Sequence, residues 1–151
     1  MKKPASDLVN PDTTILLVDD NKHGLIARRK VLEEQGYQIR TAMSAEEALE
    51  IFPRHRFDLV VTDFKMLAMT GVELIARIRA ISPGVPLVLL SGFVEPLGMT
   101  EESTGADAVV SKTAGEVAQL VRTVKRLLTR GVRKPAKTET RQTQIFMTKS
   151  V

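Results

Sequence analysis

Four short apolar runs frame this chain: Ile15-Leu16-Leu17-Val18, Leu59-Val60-Val61-Thr62, Leu87-Val88-Leu89-Leu90 and Ala108-Val109-Val110-Ser111. They are apolar along their length rather than alternating, which is the mark of strands buried on both faces. Helical patterns separate them. Strands alternating with helices build a parallel sheet with right-handed crossovers and helices on both sides. With Tyr37–Thr41 as a further strand, the pattern is five βα units. The expected architecture is α/β, a doubly wound five-stranded parallel sheet in the order 2-1-3-4-5.

The helices between the strands carry their own signals. The first is expected over His23–Gln35, with Leu25, Arg28 and Leu32 on one face and Gly36 as its stop. Ser44 followed by Glu47 is a capping-box pattern opening the second, whose stripe is Ala45, Ala48, Leu49 and Phe52. The third carries Leu74, Ile75, Ile78 and Ile81 and stops before Pro83-Gly84. Pro96 and Gly98 leave room only for a short helix from about Leu97. The last has the stripe Val117, Leu120, Val121, Val124, Leu127 and Leu128, with Gly131 and Pro135 expected to end it. Residues 1–13 are expected as a flexible leader, 14–130 as the folded domain, and 131–151 as a basic, disordered tail.

Composition narrows the classes. A length of 151 residues with 43% apolar content suits one core-bearing domain. The absence of cysteine excludes disulfides and thiolate metal sites, as suits a cytoplasmic protein. The N-terminus lacks the apolar stretch of a signal peptide, and no run is long enough for a membrane span. The net charge of +4 is uneven. From Thr129 onward Arg130, Arg133, Lys134, Lys137, Arg141 and Lys149 face only Glu139, leaving sixteen basic against seventeen acidic residues in the body. The excess charge therefore belongs to the tail, which reads first as a solvated segment and only second as a nucleic-acid contact with a lone stacking residue, Phe146.

Each apolar run ends on groups capable of chemistry. Asp19-Asp20, Asp63, Ser91 and Lys112 stand at the ends of the four strands. Ligands of open α/β sheets bind at the carboxyl ends of the strands, so these side chains converge on one edge. Clustered carboxylates raise the cost of keeping all of them ionised, and a hard divalent cation removes it. The set fits Mg²⁺, with Mn²⁺ as the alternative ion, beside a phosphoryl group contacted by Lys112 and Ser91. Asp63 is then a nucleophile able to form an aspartyl phosphate. His23 and His55 have no partner at ligand spacing and read as surface residues. Met66, Met69 and Met99 read as packing or loop residues.

At these residues the chain resembles the receiver domain of two-component response regulators, a flavodoxin-like fold. The resemblance runs from about Thr14 to Arg130. It rests on the acidic pair Asp19-Asp20, on Thr62-Asp63-Phe64-Lys65-Met66, on Ser91-Gly92, and on Gly105-Ala106-Asp107 leading to Ser111-Lys112. It implies a signalling domain rather than a conventional enzyme, with Asp63 as phosphoacceptor and Ser91 and Lys112 beside the phosphoryl group. Asp20 would bind the metal directly, Asp19 mainly through water, and Lys65 through its main-chain carbonyl. The donor would be a sensor histidine kinase or a phosphotransfer protein. The output would be a contact with an unidentified protein target through the short fourth helix, the fifth strand and the last helix. No DNA-binding domain is expected after Arg130, and a phosphorylation-dependent homodimer stays open. A phosphorelay intermediate and a degenerate, phosphorylation-independent binding module are the alternatives.

Three positions depart from the family's pattern. Leu67 and Thr113 stand where proline is usual, so a trans Lys112–Thr113 bond is expected, because a cis bond there costs roughly 2.5–4 kcal/mol. Val109 replaces an aromatic switch residue. An aspartyl phosphatase reading lacks a second acid at Lys65, and an FMN carrier would place Asp19-Asp20 against a phosphate.

Overall fold

Every apolar run is a strand in the computed structural model, which describes residues 9–92 and 98–133. The strands are β1 (Thr14–Val18), β2 (Gln38–Ala42), β3 (Leu59–Asp63), β4 (Leu87–Ser91) and β5 (Ala108–Ser111). The helices are α1 (Lys22–Glu34), α2 (Ala45–Ile51), α3 (Gly71–Ile81), α4 (Glu101–Thr104) and α5 (Glu116–Arg133), with a 3₁₀ turn at Phe52–Arg54. The sheet is five-stranded and wholly parallel in the order β2-β1-β3-β4-β5, as expected.

Successive side chains of a strand point to opposite faces, so the runs feed two cores. Ile15, Leu17, Leu59, Val61, Val88, Leu90 and Val110 pack with Leu25 and Leu32 of α1 and Leu120, Val124 and Leu127 of α5. Leu16, Val18, Val60, Leu87 and Leu89 pack with Ala45 and Ala48 of α2 and Leu74, Ile75 and Ile78 of α3. Burial on both faces is what makes the strand sequences uniformly apolar.

Polar side chains set the helix starts. Asn21, Ser44, Thr70 and Thr100 each accept a hydrogen bond from a backbone N–H of the first turn. At Ser44 the reciprocal arm differs from a capping box: Glu47 Oε1 accepts from Met43 N–H, one residue before the cap, at 2.7 Å. Gly36 ends α1 with a left-handed φ of 103°.

Several expected details differ. Val9, placed in the leader, packs against the core beneath α1, and Gln38 Nε2 donates to Pro11 O at 2.9 Å. Ile81 and Val117 lie at the ends of their helices and are exposed, because the sheet no longer covers those turns. Helix α5 runs through Gly131 to Arg133, since one glycine costs only about 1 kcal/mol and is tolerated in an otherwise strong helix. A short fourth helix exists, but its described part begins at Glu101; the expected start at Leu97 lies outside the described residues, as do residues 1–8 and 134–151. No peptide bond among the described residues is cis. No helix among them is long and apolar enough to cross a membrane.

The turn from β3 into α3 depends on Gly71. Its N–H donates to Phe64 O at 2.8 Å, and a Cβ there would overlap the Asp63 carbonyl oxygen and sit 2.8 Å from Leu89 Cδ1. Both neighbours belong to the sheet and cannot yield cheaply. We therefore expect Gly71→Ala to destabilise the fold by about 1–3 kcal/mol, read as a lower midpoint in urea unfolding at unchanged m-value.

Candidate functional site

Strand register brings the acidic residues together. Val18 pairs with Thr62 across β1 and β3, so the next residues, Asp19 and Asp63, stand side by side. Asp20 lies one step further on. One carboxylate oxygen from each of Asp19, Asp20 and Asp63 lies within 4.8 Å of the others. Asp19 and Asp63 are almost fully buried, at 1% and 4% exposure, and Asp20 is half-buried.

The other two predicted side chains come from β4 and β5. Ser91 is the last residue of β4 and is buried; it is paired in register with Ser111, and β4 lies directly beside β3. Lys112 is the first residue after β5, and its Nζ lies 2.5 Å from Asp63 Oδ1. The main chains of the two are linked as well, Lys112 N–H donating to Ser91 O at 3.0 Å. Lys65 stands two residues past Asp63 in the β3–α3 loop and is exposed. That loop is held to the acidic pair, since Leu67 N–H donates to Asp20 Oδ2 at 3.1 Å. Leu67 itself is exposed, and Ala68 after it has a left-handed φ of 67°. All six predicted positions thus fall at the carboxyl ends of neighbouring strands or in the loop between β3 and α3.

His23 and His55 are exposed; His55 rests edge-on against Phe57. Met66, Met69 and Met99 pack against the α2–α3 core. Val109 packs there too and is half-buried.

Two residues enter the site that the sequence pattern did not single out. Arg28 of α1 sends Nη1 to Asp19 Oδ2 at 2.5 Å. Its Nε and Nη2 donate to the two oxygens of Glu116 at 2.9 and 3.0 Å. A signal was present: Arg28 lies on the same helix face as Leu25 and Leu32, and a charge on a buried stripe requires a partner. The identity of that partner could not be read, because Glu116 is 88 residues away.

Electrostatics reflect this crowding. Burial pushes the Asp63 carboxyl above its ordinary range; Lys112 pulls it down, Asp19 pushes it up and Arg28 pulls it down more weakly, for a net rise. For Arg28, burial works against the charge, yet the hydrogen bonds and charge of Glu116, with the charges of Asp19 and Asp63, outweigh it and raise its pKa further. Asp63 Oδ1 is buried and faces the Lys112 ammonium at 2.5 Å. Three carboxylate groups, two of them buried, with one hard oxygen each within 4.8 Å of the others, fit a hard oxygen-seeking cation. Asp19, Asp20 and Asp63 could hold one.

The comparisons with known proteins agree with this geometry. The profile of the response regulator receiver domain family matches residues 15–125. The transcriptional regulatory protein GlrR of Escherichia coli K12 is 38% identical over 77 residues, which is 51% of this chain and 17% of that protein. The sporulation initiation phosphotransferase F of Bacillus subtilis 168 is 34% identical over 89 residues, covering 59% of this chain and 71% of that one. The chain thus spans about a sixth of the first of these relatives and most of the second. A crystal structure of the response regulator TrrA from Thermotoga maritima, in complex with Mg²⁺-BeF, superposes with a TM-score of 0.69 at 31% identity, covering 76% of this chain and 98% of that one. With its sheet order and these matches, the chain belongs to the response regulator receiver domain family of two-component signal transduction.

Proposed function

We propose that this domain accepts a phosphoryl group on Asp63 from a phosphohistidine of a separate histidine kinase or phosphotransfer protein, with Mg²⁺ as the required ion. The observation that carries the reading is the state of Asp63: a buried carboxylate with Lys112 at one oxygen and two further carboxylates within 4.8 Å. In the transfer an oxygen of Asp63 attacks phosphorus, the P–N bond to the donor imidazole breaks, and the freed imidazole nitrogen takes up a proton. Asp19, Asp20, Asp63 and the Lys65 carbonyl are the residues to hold the ion. When bound, it supplies positive charge against the phosphoryl oxygens. That TrrA was solved with Mg²⁺-BeF supports this assignment.

Each remaining residue has a task. Lys112 exchanges its contact with the Asp63 carboxylate for one with the incoming phosphoryl oxygens. Ser91 offers a hydroxyl at the end of the adjacent strand. Because Lys112 N–H is bonded to Ser91 O, movement of either carries the other. Val109 has no ring to swing, so the readout runs through this β4–β5 backbone link toward α4 and α5. The output is a shifted balance between two surface conformations, recognised by a protein partner. The match to a sporulation phosphotransferase favours one variant, in which the phosphoryl group passes onward to a second histidine protein.

Incubation with Mg²⁺ and acetyl phosphate should add one phosphoryl group to the intact mass, and Asp63→Asn should abolish the gain. Lys112→Met should slow the reaction by about 10²-fold or more, since it removes a charge aimed at the transferring group. Absence of any mass gain from acetyl phosphate and from phosphohistidine donors would leave the degenerate-receiver alternative standing. Transfer of label from the phosphorylated domain to a histidine protein would establish the relay variant.

The raised Asp63 pKa gives a stability prediction with a definite sign. The folded state holds the Asp63 proton more tightly than the unfolded chain does, so ionisation above that pKa weakens the fold. Without metal at neutral pH, Asp63→Asn should therefore raise Tm. The gap between variant and wild type should narrow as pH falls through the raised pKa and the wild-type carboxyl takes up its proton. Thermal melts across this range check both points.

A further inference from the structure

Arg28 is the cation that the family pattern did not call for. Its guanidinium spans two carboxylates, Asp19 at 2.5 Å and Glu116 through a two-point contact at 2.9 and 3.0 Å. The arrangement is sheltered, with side-chain exposures of 11% for Arg28, 1% for Asp19 and 13% for Glu116. Asp19 is engaged on both oxygens: Oδ1 accepts from Asn21 N–H at 2.9 Å, and Oδ2 takes Arg28.

The backbone has made room for this. Gly24 lies inside the first turn of α1, where glycine costs about 1 kcal/mol relative to alanine. A Cβ at Gly24 would come within 2.9 Å of Arg28 Nη1 and 3.1 Å of Asp19 Oδ2. The Arg28–Asp19 contact therefore lies directly against the bare Cα of Gly24. The two-point anchor and the buried acceptor together describe a built contact rather than a surface pair, whose energy would be slight.

We propose that Arg28 is an internal counter-cation of the acidic site, competing with a divalent cation for Asp19 and linking site occupancy to the first turn of α5 through Glu116. The inference rests on the metal-dependent reading above. In the metal-free domain Arg28 screens Asp19 from its neighbours Asp20 and Asp63. A cation entering among these carboxylates meets a positive guanidinium already bonded to one of them. Arg28 then shifts weight from Asp19 to Glu116, which keeps it charge-paired and inside the protein. Glu116 is the first residue of α5, so the exchange alters how α1 holds that helix. Arg28 is a positioning residue in this scheme, since it need not touch the phosphoryl group.

The test is calorimetric titration of the full chain with MgCl₂ alone, at constant ionic strength, with a thermal melt on each protein. Arg28→Gln should bind Mg²⁺ about tenfold tighter or more, since a unit charge several ångströms from a divalent ion is removed. Glu116→Gln should move the other way, weakening binding by roughly threefold, because Arg28 loses its second partner and falls back on Asp19. In the double variant the Glu116→Gln effect should largely vanish, which shows that it acts through Arg28. A purely structural Arg28 would lower Tm and leave the Mg²⁺ affinity alone. Should Arg28→Gln fail to fold, Glu116→Gln and Arg28→Lys carry the test, the latter being expected to bind Mg²⁺ tighter than wild type because lysine lacks the fork that bridges both acids. Unchanged or weaker Mg²⁺ binding in a folded Arg28 variant would overturn this inference while leaving the metal reading intact. Failure of wild type and every variant to bind Mg²⁺ would overturn both.

Discussion

The adjacency of β1 and β3 governs this protein. It brings together residues 44 positions apart, Asp19 and Asp63, and with them Asp20, against the mutual repulsion of three carboxylates. Nothing in the acidic residues favours this meeting. It is enforced by the apolar strands beneath, whose burial on both faces outweighs a local electrostatic cost. The fold then tempers that cost with two cations, Lys112 from beyond β5 and Arg28 from α1.

The two cations differ in kind. Lys112 is a point charge on a flexible stem, partly exposed, and can follow a new anion without loss of hydrogen-bond geometry. Arg28 is a planar fork locked by two contacts to Glu116, so its displacement must be felt by α5. The site therefore has connections to two elements of the sheet's far half: the backbone link between Ser91 and Lys112, and the Arg28–Glu116 bridge. Val109 offers no ring for a rotamer switch and packs half-buried against the α2–α3 core.

Much of the fold was legible because burial leaves a periodic record. The strands lie within a residue of their expected bounds, and the order of the sheet accords with alternating βα units and their handedness. The record fails where coverage ends. Ile81 and Val117 match a helical stripe by spacing, yet lie past the area that the sheet shields. Gly131 resembles a stop, but a helix ends only where its remaining contacts no longer compensate a glycine. Glu47 satisfies a capping pattern and bonds one residue away from where that pattern points, since its side chain takes whichever N–H is free.

The candidate site divides along the same line. Five of its six expected positions could be named from strand ends alone, because side chains at the carboxyl edge of a parallel sheet share a location whatever their distance in the chain; Lys65, in the loop beyond β3, came only from the family resemblance. Arg28 betrayed itself only as a charge on an apolar helix face. The sequence by itself determined which chemical groups reach the edge, since periodicity and strand termini are local properties of the polymer. Only the tertiary structure decided which of those groups touch, that Arg28 packs against Gly24 to reach Asp19 and that Glu116 receives its other edge. Ion-pair partners are selected by distances of a few ångströms across packed elements, and no local pattern encodes them.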